Sequence, residues 1–148
     1  MFDRPGLAYV YFIYGMYYCF NVVCEPAGTG AAVLIRAAEP VAGCTRMFAR
    51  RKPGAPMPDE PLSQKQRGSL ASGPGKLCQA LAITRDEHNG LDLCSGASAL
   101  WIEAPSRTPA SGEVVTGRRI GIREAQETPW RFGLADSYAL SPYRFEGR

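Results

Sequence analysis

The run from Leu7 to Cys24 carries no charged side chain, and within it YVYFIYGMYY, Tyr9 to Tyr18, sets five tyrosines in ten residues. A membrane-spanning helix needs about 20 consecutive apolar residues, so the length alone would serve. The composition does not. Tyrosine belongs at the headgroup boundary, yet these tyrosines are spread along the run, and Asn21 would lie in lipid with them. The start MFDRPG has no basic cluster and no small-residue cleavage site follows the apolar part, so a secretory signal fits no better. β-Branched and aromatic residues interrupted once, by Gly15, describe a hairpin. One strand is predicted over Ala8–Ile13, a turn at Tyr14-Gly15, and a return over Met16–Val23. A side-chain period of two puts Ala8, Val10 and Phe12 on one face and Tyr9, Tyr11 and Ile13 on the other. Either both faces are core or one is a contact surface. Tyr14, at the tip, either covers a neighbouring loop or projects outwards.

A chain of 148 residues forms one domain with a real core. Its net charge of +3 suits a polyanion without requiring one. The basic residues cluster: Arg46, Arg50, Arg51 and Lys52, then Lys65 and Arg67, then Lys76, then Arg118, Arg119 and Arg123. Each cluster alone reads as a solvated face. Cys19, Cys24, Cys44, Cys78 and Cys94 contain no C-x-x-C pair, and His88 is the single histidine, a set that argues against a zinc site. The cysteines read as reduced, cytosolic core residues.

KPGAPMPDEPLSQKQRGSLASGPG, Lys52 to Gly75, reads as a long surface loop with room for one short helical turn, and APSRTPASG, Ala104 to Gly112, as another loop. AAVLIRA, Ala31 to Ala37, alternates as a strand with Val33 and Ile35 opposite Leu34 and Arg36. Pro40 is expected to open a helix with an apolar stripe of Val41, Cys44, Met47 and Phe48. KLCQALAI reads as a short helix packed through Leu77, Leu81 and Ile83, and ALWIEA and RRIGI read as strands. The sum is a mixed sheet with a few helices and no βαβ repeat.

Two features bear on chemistry. SGPGK, Ser72 to Lys76, places glycines and a lysine at a helix start, where unpaired N–H groups and the helix dipole favour a phosphate. The spacing is not that of a Walker loop, and a simple chain turn is the alternative. Arg36 stands in an otherwise apolar strand, as a surface residue of an edge strand or as a charge held for a carboxylate or phosphate.

Taken in order, YVYFIYGMYYCFN, AVLIRAAEP, GPGKLCQAL, RRIGI and PWRF resemble the alkyladenine DNA glycosylases, also called 3-methyladenine or methylpurine DNA glycosylases, from Met1 to about Phe132. The resemblance implies a single α/β (α+β) domain with a curved, mainly antiparallel sheet, a projecting β-hairpin and a few helices. Its partner would be double-stranded DNA containing damaged purines, with no membrane, metal or organic cofactor, and the protein would act as a monomer. It would work in a bacterial cytoplasm, at the nucleoid, or in a nucleus. Tyr14 matches the hairpin-tip residue that fills the gap left by an extruded nucleotide, a role in which an inserted side chain replaces lost stacking. Met16 and Tyr17 match groove-contacting positions, and Gly73, Gly75 and Lys76 a phosphate-contacting segment. Tyr11, Asn21 and Leu34 match the base pocket: Tyr11 stacks on the base, and Asn21 disfavours guanine by meeting its exocyclic amino group. Arg36 matches an arginine that supports the attacking water and the catalytic carboxylate.

In that family the catalytic glutamate, a second stacking tyrosine and a pocket histidine precede the hairpin. The resemblance therefore implies a domain over 1–148 that is incomplete at its N-terminus, without the general-base glutamate. Glu39 matches a structural position, and His88, in RDEHNG, is expected in a surface turn. The final ADSYALSPYR drifts from the family pattern, Ser141 included. Three functions are open: a base-excision glycosylase that hydrolyses the N-glycosidic bond of alkylated or deaminated purines, a non-catalytic lesion-binding DNA protein, and a small membrane-associated protein.

Overall fold

The protein is described from a computed structural model, which covers residues 1–59, 61–140 and 145; Ser141 lies outside them. The hairpin forms where the sequence places it. β1 (Ala8–Ile13) and β2 (Tyr17–Val23) pair antiparallel, with Val10 opposite Phe20 and Tyr11 opposite Cys19. β3 (Ala32–Leu34) pairs antiparallel with β2, giving the order β1-β2-β3. The outer edge of β1 is covered rather than open. Ala8 N donates to Leu91 O, Gly90 N to Ala8 O, and Val10 N to the Asn89 side-chain oxygen, so the segment Asn89–Leu93 shields that edge.

β2 is central and covered on both faces over its middle: Cys19, Phe20 and Asn21 are all buried. Phe20 joins Ala8, Val10, Ala71, Leu77, Cys78, Ile83 and Leu93 in the core. Helix α3 (Pro74–Leu81) supplies Leu77 and Cys78, with Pro74 in its first turn. Leu81, expected in the packed stripe, is partly exposed, while Leu77 and Ile83 are buried.

Four corrections concern local structure. The strand expected over Ala31–Ala37 is regular only over Ala32–Leu34, because the chain changes partner: Ile35 N still donates to Phe20 O, but Ala38 N donates to Ala71 O and Ala37 bridges to Ser72. The helix expected from Pro40 starts later, as α1 (Cys44–Arg51), after Gly43 at φ 72°. Pro40 is held outside it, its carbonyl accepting from Arg67 Nη2 (2.6 Å) and from Tyr138 Oη (3.4 Å), and Val41 stays almost fully exposed. The Lys52–Gly75 loop contains a full helix, α2 (Gln64–Leu70), started by a capping box between Ser63 and Gln66. ALWIEA and RRIGI are not strands. Ile102 N makes one backbone bond to Leu93 O, and pairing lies instead just before RRIGI, where β4 (Val114–Gly117) meets β5 (Arg131–Leu134) in a separate antiparallel pair. The described residues therefore form two antiparallel sheets in an α+β domain rather than one mixed sheet.

The basic clusters are not all solvated. Arg50 Nη1 donates to Ala80 O, and Arg51 donates to Leu70 O and the Gln79 side chain, so α1 satisfies carbonyls near the ends of α2 and α3. Cys19 and Cys78 are buried as expected, but Cys24 and Cys94 are exposed. His88 ends a short helix, α4 (Arg85–His88), instead of lying in an open turn, and its Nδ1 accepts from Thr84 N (3.3 Å). No helix among the described residues is long and apolar enough to cross a membrane.

Candidate nucleic-acid interface

The turn joining β1 to β2 is closed by Met16 N donating to Ile13 O (3.3 Å), with Tyr14 at φ 55° and Gly15 at φ 66°. Two successive positive φ angles are what a tight hairpin turn demands, and glycine adopts them freely. Tyrosine does not. A bulky residue held there stores about 1–3 kcal/mol of strain. The ring gains no compensating burial, since Tyr14 is 78% exposed. It projects outwards, which settles one of the two alternatives left by the sequence. Phe12, Met16 and Tyr17 are also exposed around it, forming an apolar tip.

Tyr17 connects the tip to the second segment. A Cβ built on Gly75 would lie 2.9 Å from the Tyr17 ring, so the ring can rest there only because residue 75 is glycine. Gly73 caps α3 at φ 147°, a backbone region that belongs to glycine. Lys76 is exposed in the first turn of the same helix. Tyr17 thus brings the hairpin, with Tyr14 and Met16 at its tip, against the α3 start that carries Gly73, Gly75 and Lys76.

The register assembles the expected pocket residues differently. Tyr9 pairs with Asn21, Tyr11 with Cys19, and Asn21 with Leu34, so Tyr11, Asn21 and Leu34 share one sheet face. Tyr11 is half-buried, and its phenol is pushed up to about 12, first by burial and then by its hydrogen bond with Cys19. Asn21 is buried, with its amide nitrogen donating to Tyr9 O (3.0 Å) and Cys19 O (3.4 Å). Those bonds fix the side-chain orientation and leave its carbonyl oxygen as the free end.

Beside this face a cavity of about 510 Å³ opens between the β3 extension and β5. Leu34, Arg36 and Gly73 line it; Tyr11 and Asn21 do not. Arg36 is half-buried, burial lowers its pKa, and no described residue accepts a hydrogen bond from it. Such a charge is poised for an oxyanion or water. Glu39 is the one carboxylate among the described lining residues, and its Oε1 accepts from Tyr138 N (3.1 Å). Arg131 also lines the cavity and is 5% exposed. Sequence inspection had not singled it out, although the signal equals that of Arg36: a cation between apolar residues of a strand, here Trp130 and Phe132.

The family model described as methylpurine-DNA glycosylase (MPG) matches residues 1–138. The chain is similar to proteins whose names carry the words 3-methyladenine DNA glycosylase. One from Rhodopseudomonas palustris is 52% identical over 141 residues, covering 95% of this chain and 60% of that protein. One from Alkaliphilus oremlandii is 48% identical over 144 residues, 95% and 67% respectively, and one from Nitrosospira multiformis 46% over 145, 97% and 66%. The chain thus spans about two thirds or less of the length of these curated relatives.

Proposed function

Because the chain belongs to the methylpurine-DNA glycosylase family, we propose that it binds damaged duplex DNA through the hairpin tip and presents an extruded purine to the face carrying Tyr11, Asn21 and Leu34. The observation that carries this reading is Tyr14: a strained, outward-pointing aromatic at the end of a projecting hairpin, with no role in the core. Inserted between bases, its ring substitutes for lost stacking, the use made of apolar wedges by minor-groove proteins. Extruding a base costs a few kcal/mol, least for a damaged one, which gives the site part of its selectivity. Met16 and Tyr17 follow the groove beside the wedge, while Lys76 and the α3 start neutralise a phosphate.

Tyr11 offers a ring for stacking on the extruded base, worth about 1–3 kcal/mol. The buried Asn21, its amide committed to the sheet, borders the base and disfavours guanine, whose exocyclic amino group would meet it. The reaction is hydrolysis of the N-glycosidic bond. Water oxygen bonds to the sugar carbon, the bonding pair leaves with the purine, and a general base takes the water proton. A positive charge on an alkylated purine makes it the better leaving group. Arg36 holds the water and the base that activates it. No metal or organic cofactor enters this scheme.

A second reading, lesion binding without cleavage by these 148 residues, is favoured by one observation: the single carboxylate among the described cavity residues, Glu39, is engaged with the Tyr138 amide. The test is a duplex with one alkylated or deaminated purine, followed for both binding and abasic-site formation. Lesion-selective binding that Tyr14→Ala abolishes supports the interface. Base release lost in Glu39→Gln assigns the general base to Glu39, and binding without release establishes the second reading. Indifference to the lesion with Tyr14 intact overturns both.

A further inference from the structure

Arg36 and Arg131 reach one cavity from different elements, the first from the extension of β3 and the second from β5. Arg131 is fixed there. Its guanidinium carbon lies 3.9 Å from the centroid of the Phe145 ring, over which it makes a cation–π contact. Burial lowers the pKa of each arginine, and for Arg131 the charge of Arg36 lowers it further, so the two cations sense one another. Arginine nonetheless stays protonated. The cavity therefore carries two fixed positive charges, and Glu39, already bonded to Tyr138 N, is the acid among its described residues.

Like charges gathered in a half-buried site repel, and a bound anion turns that repulsion into attraction. A neutral ligand does not. We propose that Arg131 is a positioning residue that backs Arg36 with a second fixed charge and makes the cavity an oxyanion site for a carboxylate or a phosphate. The inference rests on Arg36 belonging to the hydrolytic site. There, two cations keep a carboxylate ionised and oriented towards water, whereas Arg36 alone would leave it freer to turn.

Arginine Nε–H resonances of the chain test this without DNA, so the anion site can stand or fall separately from the glycosylase reading. Acetate represents a side-chain carboxylate and dimethyl phosphate a DNA backbone diester. Saturable shifts of both the Arg36 and Arg131 signals, with one dissociation constant, are expected for at least one of the two probes; the tighter probe identifies the source. Arg131→Met keeps an apolar stem for Phe145 and removes the charge. It should weaken binding about tenfold, the loss expected for one charge-assisted hydrogen-bonding partner, and Arg131→Lys should recover part of it. No saturable shift, a shift of Arg36 without Arg131, or an unchanged dissociation constant in a folded Arg131→Met protein overturns the proposal. Should that variant unfold, the paired shifts in the unmodified chain decide.

Discussion

At the base of the β1–β2 hairpin Val10 is 1% exposed and Phe20 4%, whereas at its tip Phe12 is 51%, Met16 62% and Tyr14 78% exposed. Both ends are equally apolar in sequence. The difference lies in what supports them: Leu77 of α3 and Leu93 pack with Val10 and Phe20, and the hairpin then outruns that cover. Burial of the base stabilises the fold, while the tip leaves apolar area in water, area that the proposed contact with DNA would cover.

Variants at the two ends should therefore separate stability from binding. Leu77→Ala, under the base, carries the largest expected effect: about 2–5 kcal/mol lost in urea unfolding, from transfer and cavity terms together. Tyr14→Ala should leave that stability nearly unchanged; an equal loss would erase the distinction between the ends. Gly75→Ala comes next. The new methyl would press on the Tyr17 ring at 2.9 Å, and overpacking of this kind costs about 1–3 kcal/mol. If the ring swings away instead, stability is kept and duplex affinity falls, so parallel unfolding and binding measurements show which one gives. Tyr14→Gly should show a smaller effect of opposite sign, a gain of about 1 kcal/mol or less as the positive-φ strain is relieved. Its duplex affinity should drop at the same time. A Tyr14→Gly protein that is less stable would mean the ring holds the turn and is no free wedge.

The hairpin was legible because a charge-free aromatic run with one glycine has few solutions: its strand limits follow, to within a residue, from Gly15 and a period of two, whereas the outward course of Tyr14 is seen only in its exposure. The meeting of Tyr17 with Gly75 could not be read, since nothing local joins residues so far apart. Tyr11, Asn21 and Leu34 fall on one face only once the β2–β3 register is known. The helix α1 was misplaced because Pro40 is a good first-turn residue and its capture by Arg67 and Tyr138 is tertiary. Val114–Gly117 was passed over for RRIGI, as two short apolar runs look alike without their partner strand. Arg131 carried the same signal as Arg36 and shows that a charge within an apolar strand repays attention wherever it occurs.

Tyr11 sits between the two ends and offers the smallest and finest test. Burial first, and then its bond with Cys19, push its phenol up to about 12, against about 10 for an unfolded chain. The folded state thus holds this proton more tightly. Its contribution to stability is whole below about pH 10 and is lost as pH rises towards about 12, where unfolding releases a proton. Cys78, pushed up to about 11 by burial, loses its contribution over an overlapping window, from its unperturbed pKa upwards. Tyr11→Phe should remove the Tyr11 share of the alkaline slope from about pH 10 to about 12, a share seen without overlap above the Cys78 titration at about 11, as read from urea midpoints across that range. The same slope with and without the Tyr11 hydroxyl would place Tyr11 with the exposed tip. The boundary between the supported and unsupported hairpin would then fall a full residue pair nearer the core, leaving a stacked base less shelter than the register implies.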